Sequence, residues 1–205
     1  MAWSRRPSRR RKDTNHHLVR SNLLIPYIST DPLAYSVSNW QHRYNRRGHA
    51  QRFGAEALDV DIVDAEKKGW QLAQNFKCHL HPETMSHTSI SLDPLPKGIT
   101  LEKIYADFFK YVYEHTQNFF KEREFRGTVM LESLKQSRKI EFVITHPNGW
   151  TLHEQEFLRK AAVNGGLVHR GEASRMVHLI TEGEASVHFV VSNGRHGDRL
   201  KVQLY

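Results

Sequence analysis

The sequence predicts an α/β fold, a mixed sheet with packed helices, organised around a parallel crossover over residues 140–181. Three observations carry that expectation. Ile140 to Thr145 is short, mostly apolar and stopped by Pro147-Asn148-Gly149, the pattern of a buried strand ending in a turn. Thr151 and Glu154 then form a T-x-x-E capping box, in which hydroxyl and carboxylate each satisfy an N–H left over in a helix's first turn. Leu158, Ala161, Ala162 and Gly165 follow at i, i+3, i+4 and i+7, with Glu156 and Lys160 spaced to pair on the outer side. Gly165-Gly166 supplies the C-cap, and Met176 to Thr181 returns as a second strand. Links this short favour adjacent parallel strands joined by a right-handed crossover, with the 151–164 helix packed across them.

Ligands of such sheets sit at the strands' carboxyl ends. Those ends carry His146-Pro147-Asn148-Gly149-Trp150 and Thr181-Glu182-Gly183-Glu184, so Glu182 is expected beside the 147–149 turn, facing a solvent-filled cleft.

Upstream, Trp40 to Tyr44, the turn Asn45-Arg46-Arg47-Gly48 and His49 to Phe53 predict a hairpin with glycine in the left-handed conformation. Gly54 then opens a helix through Leu58. Residues 59–99 are less regular; Trp70 to Leu80 reads as helical, and Pro82, Pro94, Pro96 and Gly98 punctuate the stretch behind it. The strongest helix runs from Leu101 to Lys121 behind Thr100 as N-cap, with Leu101, Ile104, Tyr105, Phe108, Val112, His115 and Phe119 on one stripe. Its aromatic rings follow that stripe rather than alternating with Arg and Lys, so they read as core and not as a base-stacking surface. Residues 122–139 are polar, contain Gly127 and read as a connection.

A chain of 205 residues that is 39% apolar suits one domain, or one and a fraction, with a real core. The single cysteine, Cys78, excludes an intrachain disulfide, and no run approaches a membrane span. Charge is unevenly placed: residues 1–20 hold seven Arg or Lys against Asp13, a balance of +6 out of the chain's +8. Residues 1–20 are therefore read as a disordered basic tail. Its functional readings are a nuclear-localisation signal or a polyanion-binding arm, and its bland reading is a solvated tail. A cytoplasmic location is expected, with nuclear entry the alternative.

The runs FVITHPNGW, x-EQ-x-FLRKAAVNGGLV and ITEGEAS resemble the nucleotide-binding domain of a divergent branch of the seventy-kilodalton heat-shock protein (Hsp70) family, within the actin-like ATPase superfamily. The main family has a strand ending VPAYF, a helix ending AG-x-AGL and a strand ending NEPTAAA. The resemblance extends upstream through RFGAEAL (Arg52 to Leu58), FKCHLHP (Phe76 to Pro82) and the helix from Thr100, and spans residues 40–192. It implies a partial actin-like ATPase (ribonuclease H-like) lobe over residues 21–205, with ATP and Mg²⁺ as ligands. In that family a lysine places the attacking water, and a glutamate after the second crossover strand holds the metal's waters or relays a proton. Carried across, these are Lys77 in FKCHL and Glu182 in ITEGE.

The family's phosphate loops are not matched. No D-[IL]-GTT run precedes residue 40, and SNGRHGDRLKVQLY stands where a DAGGGT-like run is expected. The expectation is thus a fragment of an ATPase, roughly one lobe without its two hairpin loops, with little or no ATP hydrolysis. Two alternatives stay open: a non-catalytic remnant acting through contacts with other proteins, or a basic, nucleic-acid-associated protein.

Other constellations are weaker. Cys78, His79, His81 and His87 are rich in metal-ligand types, but C-H-x-H is not a structural-zinc spacing, and no metal site is expected. His153-Glu154 begins an H-E-x-x-H pattern that fails at Phe157. Walker and G-x-G-x-x-G motifs are absent from the sequence.

Overall fold

The computed structural model describes residues 41–82 and 92–193. The N-terminal tail, Trp40, His87 and the last twelve residues lie outside the described residues, as do the expectations that concern them.

The expected hairpin forms. Strand β1 (His42–Tyr44) pairs antiparallel with β2 (Ala50–Phe53), around a turn held by Asn45, whose Oδ1 accepts from the N–H groups of Arg47 at 2.9 Å and His49 at 3.0 Å. Gly48 takes the left-handed φ of 76° that the turn requires. Gly54 precedes the short helix α1 (Ala55–Leu58), and the buried Arg43 donates from Nε to the Ala57 carbonyl at 2.6 Å, tying hairpin to helix.

The middle departs from expectation. Helix α2 (Ile62–Lys68) begins at Asp61, whose carboxylate accepts from Val63 N and Asp64 N, and ends at Gly69 with a left-handed φ of 62°. The expected Trp70–Leu80 helix is replaced by strand β3 (Gln71–Ala73) and a single 3₁₀ turn, Cys78–Leu80. The correction has a tertiary cause. β3 completes an antiparallel sheet of order β2-β1-β3, and Asn75, at φ 53°, turns the chain so that Phe76 enters the core fully buried. Pairing to β1 and burial of Phe76 outweigh local helix propensity.

Helix α3 (Leu101–Arg123) starts where Thr100 predicts, its side chain accepting from Lys103 N at 3.2 Å. It buries Ile104, Tyr105, Ala106 and Phe109. Residues 122–139 are not a plain connection but contain helix α4 (Gly127–Gln136). Only Gly127 and Leu131 of α4 are buried, which leaves too faint a stripe to read. A Cβ at Gly127 would stand 2.5 Å from the Phe120 carbonyl oxygen, so glycine permits the tight return onto α3.

The crossover forms as expected. Strands β4 (Phe142–His146) and β5 (Val177–Thr181) are adjacent and parallel, in register from Phe142 opposite Val177 to His146 opposite Thr181. β4 begins two residues later than Ile140. β5 begins one residue after Met176, which closes the short helix α6 (Ala173–Met176). Helix α5 (Leu152–Asn164) touches β5 and packs along α3 through Leu158, Ala161 and Ala162, all buried. The helices meet closely at Gly165, where a Cβ would lie 2.6 Å from the Ala106 carbonyl oxygen. On α5's outer side, Glu156 pairs with Arg159 at 3.7 Å, three residues on, and not with the expected Lys160. Helix α7 (Glu182–Asn193) follows β5 directly. One apolar cluster, including Tyr44, Phe76, Tyr105, Leu158 and Val177, joins hairpin, α3 and crossover. The described architecture is mixed α/β, with a parallel strand pair and packed helices.

Candidate functional site

The in-register parallel pairing brings both strands of the crossover to an end at one level, with His146 opposite Thr181. After β4 the chain turns through Pro147–Trp150, closed by Trp150 N donating to the Pro147 carbonyl at 3.1 Å. After β5 the Thr181 hydroxyl accepts from Glu184 N at 3.1 Å and so caps α7. The two turns touch: a Cβ on Gly183 would sit 3.4 Å from the Asn148 side-chain amide. Glu182 is thus the first residue beyond β5, beside the 147–149 turn, with its side chain 37% exposed.

Lys77 reaches this rim from the middle of the chain. Its neighbours Phe76 and Leu80 are both buried, and the Phe76 ring meets Tyr105 edge to face at 5.2 Å. Between these anchors Lys77 points outward, and its Nζ donates to Glu182 Oε1 at 2.5 Å. The two site residues selected from the sequence are 105 positions apart and meet in one ion pair. Because both remain partly exposed, the pair is a weak contributor to stability, about 0–1 kcal/mol. Glu182 is paired with a lysine at the rim rather than buried against an arginine in the core.

A second contact ties the same two regions. The buried His146 ring lies parallel to Trp150 with centroids 6.4 Å apart, and His81 meets Trp150 edge on at 5.9 Å. His146 Nδ1 lies 2.9 Å from the Pro147 carbonyl oxygen. Sequence reasoning misses this stack, although Trp150 immediately after a strand-ending turn is an available signal. It also misses Thr181, yet Thr181 and Glu184 repeat the T-x-x-E spacing that marks α5.

The remaining candidates go to other tasks. Glu154 completes its capping box, accepting from Thr151 N at 2.7 Å and from the Thr151 hydroxyl at 2.6 Å. Burial pushes its pKa up, but these hydrogen bonds to the charged form prevail and hold it below the usual carboxylate value. His79 Nε2 lies 3.1 Å from the Asp93 carbonyl oxygen, and His81 is engaged by Trp150. Among the described residues no group of three or more His, Cys, Asp or Glu is placed to hold a metal ion, and no helix is long and apolar enough to cross a membrane.

No family model matches the chain, and no solved structure matches it. Among curated proteins it is similar to heat shock 70 kDa protein 12B of Homo sapiens, at 25% identity over 144 residues. The match covers 69% of this chain and 20% of the relative, so the chain spans about a fifth of the length of the protein it resembles. The similarity supports a distant Hsp70-like relation.

Proposed function

We propose that this chain contributes part of the nucleotide-binding domain of an Hsp70-like ATPase, as a partial actin-like lobe over residues 21–205 preceded by the basic tail of residues 1–20. Lys77 and Glu182 are its candidate catalytic residues, and ATP with Mg²⁺ its ligands. The observation that carries this reading is the meeting of Lys77 and Glu182 at the carboxyl end of β5, where open α/β sheets bind ligands.

The residues present fit those ligands in character. Mg²⁺ keeps several waters and is held through one or two carboxylates together with substrate phosphates, so it needs no protein cage of three acids. Glu182, partly exposed, has the oxygens to accept from such waters, and Lys77 supplies a cation for a phosphate oxygen or an attacking water. In the ion pair each holds the other at the rim, so phosphate binding would draw Lys77 away and leave Glu182 free to accept. When bound, the metal neutralises charge developing on the transferred phosphoryl group.

The 205-residue polypeptide carries neither phosphate-loop sequence, and positioning the triphosphate is most of the catalysis in this class. The polypeptide by itself is therefore expected to show weak ATP affinity, dominated by attraction to the arginine tail, and no Mg²⁺-dependent turnover. The test compares the full chain with one lacking residues 1–20, each with and without Glu182→Ala, by calorimetric ATP titration and phosphate release. Hydrolysis that survives tail removal and disappears with Glu182→Ala would overturn the expected inactivity. An experimental structure of residues 40–192 that fails to superpose on an Hsp70-type lobe would overturn the family reading itself.

A further inference from the structure

Away from the Lys77–Glu182 rim, the fold gathers a second set of cations. The tip of the β1–β2 hairpin carries Arg46, Arg47 and His49, and the last turn of α2 carries Lys67 and Lys68. These lie apart in sequence but together in the fold. Tyr44 pairs with Gln71 across β1 and β3, which sets the hairpin tip beside the end of α2. The Arg46 side chain lies directly on Gly69, where a Cβ would come within 2.0 Å of its Nε. Lys97 joins from a third segment, its N–H donating to Gln71 Oε1 at 2.7 Å. Trp70 stands among them, partly exposed, with Lys68 Nζ 5.0 Å from its ring centroid.

In the helical half some basic side chains are paired with carboxylates and others, such as Lys121, Lys139 and Lys160, form no salt bridge among the described residues, whereas in this patch none is paired. Lys103, Lys110, Lys135, Arg138, Arg159 and Arg175 each have a carboxylate within 4.0 Å. Among the described residues, none of Arg46, Arg47, Lys67, Lys68 or Lys97 forms a salt bridge, although Asp64 and Glu66 belong to the same α2. The hairpin tip is held by Asn45 and by the left-handed Gly48, so the arginine backbones are fixed before any partner arrives.

We propose that the hairpin tip, the end of α2 and Trp70 form a binding surface for the sugar–phosphate backbone of single-stranded nucleic acid, with a base stacked at the indole. Arginine and lysine match phosphate oxygens, and an aromatic side chain set among cations provides sequence-tolerant stacking, the combination used by nonspecific single-strand binders. An acidic protein segment would satisfy the charge but has no use for the indole. The tail of residues 1–20, itself +6, precedes β1 in the same polypeptide and adds to the same polyanion attraction. This surface is independent of the ATPase reading.

The test uses the full chain and a fluorescein-labelled oligouridylate of roughly 20 nucleotides, long enough for the known single-strand site sizes. Anisotropy is followed across a salt series. Arg46→Gln/Arg47→Gln/Lys67→Gln/Lys68→Gln is expected to lower affinity at least tenfold and to reduce the salt slope by about 3, at ~0.7 for each phosphate neutralised by a removed cation. Because Arg46 packs on Gly69, a second variant, Arg47→Gln/Lys67→Gln/Lys68→Gln, leaves that packing intact and should reduce the slope by about 2. Trp70→Phe should weaken binding severalfold with the slope unchanged, since it alters stacking and not charge. Parental affinity in both charge variants, with circular dichroism showing them folded, would place all binding in the tail and overturn the proposal. So would a polyglutamate peptide of equal charge that binds as tightly as the oligonucleotide, with equal loss in the variants, because the surface would then serve an acidic protein.

Discussion

The crossover of residues 140–193 and the antiparallel half of residues 41–82 are similar in size, yet the first forms nearly as its sequence foretells and the second does so only in its hairpin and α1. The crossover is specified locally. Its helix carries its own cap at Thr151 and Glu154, its own apolar stripe and its own C-terminal glycines, and distant partners are needed only for the strand register and to cover that stripe with α3. The antiparallel half is specified by what it touches. β3 is three residues long, and it is a strand because β1 lies beside it. Phe76 is buried because Tyr105 and the ring of His42 accept it. A region built from local signals is expected to tolerate the removal of one interaction better than a region that depends on a few central side chains.

The largest expected effect comes from that difference. Phe76→Ala removes the fully buried ring that connects β1, α3 and the Lys77 loop. It should cost about 3–5 kcal/mol, the usual range for emptying a phenylalanine site. Guanidinium unfolding monitored by circular dichroism would measure it. A loss under ~1 kcal/mol would mean that the antiparallel half collapses around the space and does not depend on this central ring.

Next in size is an acid sensitivity in the same half. His42 is fully buried, with Phe53 at 4.6 Å, Phe76 at 4.9 Å and Phe108 at 5.7 Å between ring centroids. Its Nδ1 lies 3.4 Å from the Tyr44 hydroxyl, and its Nε2 has no hydrogen-bond partner among the described residues. Burial without a countercharge pushes its pKa down to about 3. The folded state therefore holds His42 neutral, while the unfolded chain protonates it below its ordinary value of about 6.5. The stability tied to this group is present above that value and is lost as pH falls toward the folded pKa. Between about pH 7 and pH 5 the loss should reach about 2 kcal/mol. Glu154 acts in the same direction, but its window opens only below the ordinary carboxylate value of about 4.3. Urea midpoints at the two pH values should separate in the parent and converge in His42→Phe, and an equal separation in both would remove His42 as the cause.

The extent to which the sequence discloses this molecule obeys the same division. α3 and α5 are readable because each pairs a capping residue with a continuous stripe, and the hairpin because Asn45 and Gly48 bracket a turn. α2 escapes notice despite Asp61 and Gly69, since only Ala65 of its residues is buried and no stripe connects the caps. β3 reads as helix because three residues cannot declare a period. At the rim, Glu182 is placed by its strand and Lys77 only by resemblance, since nothing around Lys77 indicates that its partner stands 105 residues away. The His81–Trp150–His146 stack is likewise a product of folding, with no spacing to announce it.

The local half can be probed at its cap. Thr151→Ala removes the hydroxyl that accepts from His153 N at 3.3 Å and donates to Glu154. It should destabilise the protein by about 1 kcal/mol, as N-cap losses generally do. Thr151→Ser should retain most of that stability, which separates the hydroxyl's role from packing of the methyl group. If Thr151→Ala is as damaging as Phe76→Ala, the crossover is no more locally secured than the antiparallel half.

The smallest effect on stability belongs to the ion pair that, among the described residues, joins the halves. Lys77 and Glu182 are 26% and 37% exposed, so water screens both charges and each long side chain gives up rotamer freedom to hold the contact. A double-mutant cycle with Lys77→Ala, Glu182→Ala and the combination should therefore give a coupling energy of no more than about 1 kcal/mol. That coupling should shrink further as salt is raised from about 0.1 M to 1 M, where the screening length falls from about 10 Å to 3 Å. A pair worth so little to folding is not needed to hold the two halves together, because Phe76 and Leu80 already anchor the segment on either side of Lys77. Each side chain is thus available to exchange its partner for a bound anion or a metal's waters at small energetic loss. A measured coupling of about 3 kcal/mol or more would place the pair among buried structural bridges. It would then count against a ligand role for Lys77 and Glu182, even if the rest of the fold behaved as expected.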